Sequence, residues 1–388
     1  MRAFEVVVVG AGPAGAIAAR DLARRGARVA LVDGSHPREK PCGGGVTGRA
    51  LTLAGAAVTA ATGQPNLTGS TPGLAIDAVT FEAAGRSTRL LLPDREALRV
   101  YPRASFDADL LRQAIEAGAT HIAARVRGIS RQAGAWQITA GPESMTAPWL
   151  LGADGPAGVV RKQVFRPFAR RQLSIAAGSY VDGVETREIV IGFTEEPRGY
   201  LWSFPRPGHL AVGTCAQANE TSAADMHRVT DRWLDGYSPA AGHTRRRYAW
   251  PIPSLDARDV DAEQPSGDGW MLLGDAAGLV DPITREGIFF ALRSGVLAAA
   301  ALGSGAPARS YAEGVRDELH DELRRAARLK AGFFRPRFTG LMVDALAHSA
   351  GVRAVMIDLI AGRQPYAGLK RRLLGTLEFG LMLRVLRG

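Results

Sequence analysis

Cysteine is nearly absent from this chain of 388 residues, which contains only Cys42 and Cys215. Two thiols cannot form a disulfide framework, and the first residues lead directly into an apolar strand pattern instead of a signal peptide. An iron–sulfur centre is excluded as well, because the sequence has no cluster of cysteines to hold one. We expect a cytoplasmic protein without a metal site.

Long hydrophobic runs are also missing. The apolar stretch from Val6 to Ala19 is interrupted by three glycines and a proline, and the stretch that follows Gly287 contains Arg293. A helix that spans a membrane needs about 20 predominantly apolar residues. The sequence therefore predicts no membrane-spanning helix.

Lysine is scarce, since it supplies four of the 48 basic residues. A net charge of +10 could indicate nucleic acid or an anionic surface. A general preference for arginine explains part of this charge, so we expect no nucleic-acid partner. From Ala326 to Gly388 eleven basic residues stand against three acidic ones, which makes the excess a C-terminal property.

The last predicted helix, Leu369 to Leu386, carries leucine or valine at every fourth position with basic residues around them. Such an amphipathic helix can contact the inner face of an anionic membrane or close a lipid tunnel. It can equally dock on the protein body and turn a basic face to solvent. The sequence leaves both interpretations open.

The N-terminal segment has the pattern of a dinucleotide-binding unit. Four valines from Val6 form a strand pattern, GAGPAG follows from Gly10, and a helical stretch leads to a second strand that ends at Asp33. In such units the first glycine allows a tight turn, the second admits a pyrophosphate, the third lets helix and strand pack, and the acid binds ribose hydroxyls. We assign these roles to Gly10, Gly12, Gly15 and Asp33.

A second strand, turn and helix are predicted near residue 270. The strand pattern at 270–273 is followed by GDAAG, and a helix is expected from Ile288 to about Ala300. We predict that Asp275 binds ribityl-type hydroxyls. The backbone N–H groups of Gly287 and Ile288, at the start of this helix, suit the anionic ring of a reduced flavin.

Three consecutive glycines follow Cys42, within residues 41–47. Glycine loses more backbone entropy on folding than any other residue, so this run is costly in a purely structural loop. We interpret it as a place where the backbone approaches a flat ligand, with a flexible surface loop as the alternative.

A helix is also predicted directly after Arg103. Ser105 is its expected N-cap, and Asp107 and Asp109 fall in the first turn, where the helix dipole favours acidic side chains. Arg103 can pair locally or reach a cofactor phosphate.

Between residues 166 and 265 the sequence alternates as strands do and shows no long helical pattern. In residues 200–205 (YLWSFP) the period of two puts Tyr200, Trp202 and Phe204 on one face of a strand. That face can pack in the core of its own sheet, or it can line an apolar slot above a cofactor.

These motifs together resemble those of the flavoproteins related to para-hydroxybenzoate hydroxylase. The shared elements are GAGPAG with Asp33, Arg103 before a helix, Asp154-Gly155, and GDAAG before a second helix. Within that class the chain is similar to the geranylgeranyl reductase family in residues 37–46 (PREKPCGGGV), 200–205 and 274–283 (GDAAGLVDPI). The resemblance runs from about Phe4 to the C-terminus.

The resemblance implies that FAD is bound and that reduced flavin transfers a hydride to C=C bonds of an isoprenoid. Positions that match the flavin-binding residues are Ala14, Asp33, Cys42, Gly43, Gly45, Arg103, Val126, Asp275, Gly287 and Ile288. Positions that would face the prenyl chain are Tyr200, Trp202 and Phe204.

The expected fold is α/β, with a Rossmann-like FAD-binding domain, an inserted and mostly antiparallel β substrate domain, and a helical C-terminal region. Residues 1–165 and 266–330 are assigned to the FAD-binding domain, 166–265 to the substrate domain and 331–388 to the basic C-terminal region. Residues 78–95 fall within the FAD-binding domain in this division, and the alternative is that they belong to the substrate sheet.

The implied chemistry needs a proton as well as a hydride, because an unactivated alkene has no carbonyl that could stabilise a carbanion. Cys42 is a candidate proton donor, since a thiol in an apolar site stays protonated unless a positive neighbour acts on it. Cys42, Tyr200 and Trp202 form the predicted catalytic set. Arg285 departs from the family pattern, which often has glycine at this position. Because of this departure, the resemblance does not determine the electron donor or the isoprenoid.

The sequence has no second GxGxxG unit, so NAD(P)H would bind without a domain of its own. A ferredoxin-like protein is the other candidate donor. The expected substrate is an isoprenoid or prenyl lipid, with peripheral contact between the basic C-terminal region and a membrane. Two other functions stay open: a flavin monooxygenase of an apolar or aromatic substrate, and a membrane-surface flavoprotein that passes electrons to a quinone.

Overall fold

The computed structural model describes residues 1–55, 57–59, 64–66, 73–92 and 98–376. It shows a mixed α/β architecture with two large sheets and a helical C-terminal region, which confirms the predicted fold class. Residues 93–95 of the segment 78–95, and the part of the last predicted helix beyond residue 376, lie outside the described residues.

The first large sheet has six strands and carries the dinucleotide motif. Four of its five parallel strands are apolar and almost entirely buried, as expected for a sheet covered on both faces, whereas Thr120–Ile122 is only partly buried. In spatial order the strands are Thr120–Ile122, Val29–Val32, Val6–Val9, Trp149–Gly152, Trp270–Leu272 and the antiparallel edge strand Ser266–Gly267. The helix Pro13–Arg24 packs against the helices Arg103–Glu116 and Ile288–Ala301.

A four-stranded sheet contributes to the same core. Its strands, in order, are Arg2–Ala3, Glu143–Ala147, Ala135–Ala140 and Val126–Gln132. Its buried Trp136, Ile138 and Met145 belong to the cluster that surrounds the parallel strands. The chain leaves the six-stranded sheet at Ile122 and enters the four-stranded sheet at Val126.

The second large sheet has seven strands and is antiparallel except for one pair. In order they are Arg245–Pro253, Leu173–Asp182, His209–Gln217, Gly199–Arg206, Glu188–Thr194, Ala78–Ala83 and Arg86–Leu91. The parallel pair joins Glu188–Thr194 to Ala78–Ala83, so strands from residues 78–91 extend the sheet formed by residues 173–253.

The expectation of no long helix between residues 166 and 265 was wrong. The helix Ala223–Gly236 packs on the seven-stranded sheet. It begins with a capping box, in which the Ser222 hydroxyl accepts a hydrogen bond from the Asp225 N–H at 3.2 Å and the Asp225 carboxylate accepts one from the Ser222 N–H at 3.0 Å. Ser and Asp at this spacing are a helix-start signal that the strand-like alternation concealed.

The remaining short elements connect these sheets. The small strands are Gly45–Thr47, Leu98–Val100 and Leu74–Ala75 in one sheet, and Ala57–Thr59 with Gln64–Asn66 in another. The short helices are Gly48–Leu53, Val159–Val164 and Ala257–Asp261, with 3₁₀ turns at Arg170–Gln172, Ser238–Ala240 and Gly274–Ala277.

The C-terminal region is helical and lies on the seven-stranded sheet, where Pro336–His348 packs on Arg86–Leu91 and Ala78–Ala83. Its helices are Pro307–Val315, a π turn at Arg316–His320, Asp321–Phe333, Pro336–His348, Ala350–Ile360 and Leu369–Leu374. Among the described residues no single helix has the length and apolar character of a membrane span. Only the pair Pro336–His348 and Ala350–Ile360 meets that criterion jointly, with a bend of 112° between them.

Candidate functional site

One cavity of about 1920 Å³ runs between the two large sheets and the C-terminal helices. Pockets for small ligands usually enclose about 300–1,000 Å³, so this cavity has room for more than one small molecule. Of the predicted site residues, only Gly15 does not line it. The lining set is Gly10, Gly12, Ala14, Asp33, Cys42, Gly43, Gly45, Arg103, Val126, Tyr200, Trp202, Phe204, Asp275, Gly287 and Ile288.

The glycines of the first turn serve different purposes. Gly10 has a φ of +104°, and a Cβ on it would lie 2.3 Å from the Ala153 carbonyl oxygen. A Cβ on Gly15 would lie 1.9 Å from the Gly10 carbonyl oxygen, so Gly15 lets helix and strand pack. A Cβ on Gly12 would meet only His36 Nε2, at 3.6 Å. No protein group therefore requires glycine at position 12. The space where a Cβ would lie is part of the cavity.

Asp33 directly follows the strand Val29–Val32, and neighbouring residues hold its carboxylate in place. Its carboxylate accepts hydrogen bonds from the N–H of Ala11 at 2.9 Å and of Ser35 at 2.6 Å, and His36 Nδ1 lies 2.8 Å from its Oδ2. Burial raises the pKa of Asp33, but the bond to His36, the charge on it and the backbone N–H groups lower the pKa well below its usual range. Asp33 is therefore ionised at every physiological pH.

His36 connects Asp33 to a second buried carboxylate. Its Nε2 lies 3.4 Å from Asp107 Oδ2, and Asp107 accepts two hydrogen bonds from Arg103, at 2.9 and 2.7 Å. Burial lowers the pKa of His36, but Asp107 and Asp33 together raise it above the usual value. Burial raises the pKa of Asp107, whereas Arg103 and then His36 lower it below the usual range. The result is a row of alternating charges, from Asp33 through His36 and Asp107 to Arg103, at the wall of the cavity.

The sequence left two options open for Arg103, and the structure shows the local pair. The expected N-cap Ser105 was wrong, because the helix starts at Arg103 and its first N–H groups bond to a distant side chain. Glu39 accepts from the N–H of Arg103 at 3.1 Å and from that of Ala104 at 3.2 Å. Burial lowers the pKa of Arg103, but Asp107 and then the Cys42 sulfur raise it above the usual value.

The loop that contains Cys42 is held by Arg206, at the end of strand Gly199–Arg206. Arg206 is 2% exposed. It donates to the carbonyl oxygens of Cys42 and of Gly43, the latter at 3.2 Å, and to the carboxylate of Glu39. The Cys42 sulfur accepts from the Gly44 N–H at 3.3 Å. The thiol is thereby fixed at the cavity wall, next to Arg103.

The glycine run does allow close approach, but the group that approaches is part of the protein. A Cβ on Gly43 or Gly45 would lie 3.1 or 3.0 Å from the ring of Phe204. Gly44 has a φ of +82°, and a Cβ there would lie 2.4 Å from the Tyr101 carbonyl oxygen. Gly43 and Gly45 thus receive an aromatic side chain from the seven-stranded sheet, and since both also line the cavity, the approach of their backbone to a flat ligand stays a prediction.

The second predicted site surrounds Asp275, which lies in a 3₁₀ turn after the strand Trp270–Leu272. Lys40 Nζ lies 3.0 Å from Asp275 Oδ2. Gly287 is the N-cap of the helix Ile288–Ala301, and a Cβ on it would lie 3.2 Å from Asp275 Oδ1. Both helix N-termini, at Gly12 and at Gly287, therefore open into the same cavity.

Arg285 precedes this helix start and has a φ of +60°. That backbone conformation favours glycine, which gives a physical reason for the family's preference at this position. Its guanidinium and the Lys330 ammonium both donate to the Ser254 hydroxyl, at 2.5 and 2.9 Å. Burial, and then Arg285, lower the pKa of Lys330 to about 8.

The aromatic strand forms a wall of the cavity. The Tyr200 hydroxyl donates to the Thr284 carbonyl oxygen at 3.0 Å, and its ring is stacked on that of Phe334 with centroids 6.2 Å apart. Burial raises the pKa of Tyr200 well above its usual value, with a smaller contribution from Cys215. Trp202 lies over Gly213, where a Cβ would be 2.4 Å from the indole. The sequence offered two alternatives for this face, packing in a core or lining a slot. Tyr200 and Trp202 do both, since they are buried in a core cluster and also line the cavity.

Several site residues were not found from the sequence: His36, Glu39, Lys40, Arg206 and Phe334. The first three lie within residues 36–40, directly before the cysteine loop, and a concentration of charged and titratable residues there was a usable signal. Arg206 directly follows the aromatic motif. Phe334 gave no signal, because its partner Tyr200 is more than a hundred residues away.

The residues present fit a bound FAD. Two helix N-termini and the Asp33 carboxylate face one cavity, which suits pyrophosphate, ribose and an anionic ring. Val126 lines the cavity beside Gly34, where a Cβ would lie 2.9 Å from the Arg125 nitrogen, at the end expected for adenine. The fold and this site define the class of FAD-dependent oxidoreductases.

Comparison with known sequences gives the family. Residues 3–304 match the family model described as an FAD binding domain, and the chain belongs to that family. It is 29% identical over 328 residues to the geranylgeranyl diphosphate reductase of Rhodobacter capsulatus, covering 79% of this chain and 77% of the relative. It is 28% identical over 364 residues to the menaquinone reductase of Mycobacterium tuberculosis strain H37Rv, covering 86% and 85%.

A solved structure extends this likeness to the fold. The crystal structure of a geranylgeranyl bacteriochlorophyll reductase-like protein from Thermoplasma acidophilum matches with a TM-score of 0.76 at 21% identity, over 97% of this chain and 100% of that chain. At this identity the match shows a common fold. With the family model and the named relatives, it confirms the resemblance to the geranylgeranyl reductase family.

Proposed function

We propose that this protein is an FAD-dependent reductase that saturates C=C bonds of a polyprenyl chain, with reduced flavin as the hydride donor. The observation that carries this proposal is the continuity of the cavity. It starts at the dinucleotide turn near Gly10, passes Cys42 and Tyr200, and continues without interruption between the seven-stranded sheet and the C-terminal helices.

The part of the cavity beyond the aromatic wall is apolar on both sides. The sheet contributes Val79, Phe81, Ile189, Ile191 and Phe193, and the helices contribute Leu341, Met342, Val352, Val355, Met356, Leu359 and Ile360. Removing apolar surface from water is favourable by about 25 cal/mol per Å². A long hydrocarbon chain therefore gains binding energy along the whole slot, whereas a charged substrate of the same length would lose its hydration there.

FAD, when bound, supplies the hydride. The N–H groups after Gly12 and Gly287 would bind its anionic groups, and Asp33, ionised throughout, would accept hydrogen bonds from its hydroxyls. Tyr200 and Trp202 exclude water from the reacting bond. Such exclusion matters because water would react with the cation that forms when an alkene is protonated.

Two residues of the cavity wall carry a proton that could be transferred, Cys42 and Tyr200. The Cys42 sulfur is held by the Gly44 N–H beside Arg103. Tyr200 keeps its proton across the physiological range, because burial raises its pKa, and that proton is directed to the Thr284 carbonyl oxygen. We assign the donor role to Cys42 and the orienting role to Tyr200, since only the thiol proton is not already committed to a backbone acceptor.

Anaerobic incubation of the dithionite-reduced enzyme with polyprenyl substrates tests the function. The arms are geranylgeranyl diphosphate, a geranylgeranyl glycerolipid, a geranylgeranylated tetrapyrrole and a quinone with a polyprenyl side chain. We expect flavin reoxidation and a product heavier by two hydrogens for each reduced bond. Flavin that stays reduced with all four would refute the proposal, and a hydroxylated product that requires oxygen would favour a monooxygenase.

The donor assignment has its own test. Cys42→Ser is expected to slow single-turnover reoxidation of reduced flavin at least tenfold, because a hydroxyl is a much weaker acid than a thiol. Cys215→Ala is the matched control, since Cys215 is buried and does not line the cavity. Equal rates for wild type and Cys42→Ser would remove Cys42 from proton transfer. NAD(P)H and a ferredoxin-like protein, supplied separately, then identify the electron donor.

A further inference from the structure

The opening of the apolar slot combines exposed apolar and exposed cationic side chains. In the C-terminal region four large apolar residues line the cavity and are nevertheless exposed: Leu329 by 47%, Phe338 by 45%, Leu373 by 39% and Leu374 by 49%. They are half of the eight large apolar residues that are exposed in the described part of the chain. Because a residue that lines a cavity and is also exposed lies at its opening, these four surround the mouth of the slot.

Cations lie among these apolar side chains. Arg325, Arg328, Arg335, Arg337 and Lys370 all line the cavity and are exposed. Within the described ranges none of the five forms an ion pair. Residues 323–343 contain six basic residues and no acidic one. We call these five cations and the four apolar residues the mouth surface.

The structure behind the mouth surface is apolar as well. The helices Pro336–His348 and Ala350–Ile360, bent by 112° relative to each other, line the slot directly inside it. An apolar path thus leads from exposed Phe338 and Leu373 to the aromatic wall at Tyr200. An acidic protein would match the cations alone. A bilayer matches both features, since it is anionic at its surface and apolar beneath.

We propose that the mouth surface docks on an anionic lipid bilayer, so that the slot opens into the hydrocarbon of the membrane. The five cations face the anionic headgroups, and the four apolar side chains enter the boundary between headgroups and acyl chains. The docking stands on the exposed residues themselves. That a prenyl lipid then enters the slot from the bilayer rests on the proposed function.

Cosedimentation of the full-length, FAD-loaded protein with lipid vesicles tests the docking. Wild type is expected to bind phosphatidylglycerol-containing vesicles much more tightly than pure phosphatidylcholine vesicles. Each cation near an anionic surface contributes about a fivefold factor in partitioning, so Arg335→Gln/Arg337→Gln should bind about 25-fold more weakly. The matched control is Arg232→Gln/Arg258→Gln, which removes two exposed arginines that do not line the cavity.

The apolar part has a separate pair of variants. Leu329→Ser/Phe338→Ser should weaken vesicle binding by about tenfold or more for each side chain. Leu91→Ser/Ile115→Ser changes two side chains that are 65% and 46% exposed away from the mouth, and it should bind as wild type does. These pairs separate insertion from general surface hydrophobicity.

Binding that follows both mouth variants and neither control supports the proposal. Equal binding to both vesicle types, no binding at all, or mouth variants that bind like the controls would overturn it, as would an acidic protein partner that binds this surface while vesicles do not. Reduction of prenyl substrate dispersed in detergent is measured in parallel. Docking without reduction would reject the proposed function alone, and reduction without docking would reject the bilayer surface alone.

Discussion

Gly44 is the position in the cysteine loop where one added methyl group is expected to be most harmful. Its φ is +82°, and a Cβ would lie 2.4 Å from the Tyr101 carbonyl oxygen and 2.9 Å from Arg206 Nε. A left-handed conformation costs a non-glycine residue about 1 kcal/mol. Insertion of a methyl group into a packed site costs about 1–3 kcal/mol more. Gly44→Ala should therefore destabilise the protein by about 2–4 kcal/mol.

Gly48, four positions further, is the matched control. It is the first residue of the helix Gly48–Leu53, and a Cβ there would meet nothing within 4 Å. Alanine is a better helix former than glycine and restricts the unfolded chain. Gly48→Ala should thus stabilise the protein by about 0.5–1 kcal/mol, a change of opposite sign for the same chemical substitution.

Thermal unfolding of the apoprotein and the FAD-loaded protein measures both effects, and titration of apoprotein with FAD shows whether the loop supports the cofactor. We expect Gly44→Ala to unfold at a lower temperature and to bind FAD more weakly, and Gly48→Ala to do neither. If the two variants unfold at the same temperature, Gly44 is not confined as described and the assignment of this loop to the cavity wall loses its basis.

Two further predictions concern buried charges. Arg206→Leu leaves Glu39 without its buried partner and should destabilise the protein by about 3–5 kcal/mol, seen as a lower unfolding temperature that Arg206→Lys restores only in part. His36 has a raised pKa in the folded state, so its contribution is fully present below the unfolded pKa of about 6.5 and is lost as the pH rises through the folded value. Wild type should therefore lose stability over that interval in urea unfolding, whereas His36→Gln should show no such loss, and parallel pH profiles would contradict the pairing with Asp33 and Asp107.

The features that were predictable from the sequence are local ones. The first 33 residues contain a strand, a glycine turn, a helix and a second strand followed by Asp33. This pattern can be recognised without knowledge of the rest of the chain. The same holds for the alternation of Tyr200, Trp202 and Phe204, which the strand Gly199–Arg206 displays. Neighbouring residues determine these elements, and tertiary contacts only complete them.

The features that escaped prediction depend on partners distant in sequence. The helix at Arg103 is capped by Glu39, 64 positions earlier, instead of by the adjacent Ser105. The cluster of Asp33, His36 and Asp107 requires that the loop after the strand Val29–Val32 meet the helix Arg103–Glu116. No local pattern encodes such meetings, because each partner alone is an ordinary polar residue.

The joining of the two large sheets has a consequence for how the site works. Phe204 and Arg206 come from the seven-stranded sheet, yet they contact the loop that follows the dinucleotide unit, at Gly43 and at the Cys42 carbonyl oxygen. The wall of the apolar slot is therefore in direct contact with the loop at the dinucleotide end of the cavity, and we expect the two to move together. A change in the loop must shift the aromatic strand, and a chain in the slot must press on the loop that holds Cys42. Binding at one end of the cavity should thus alter affinity at the other, and by linkage the effect must be reciprocal.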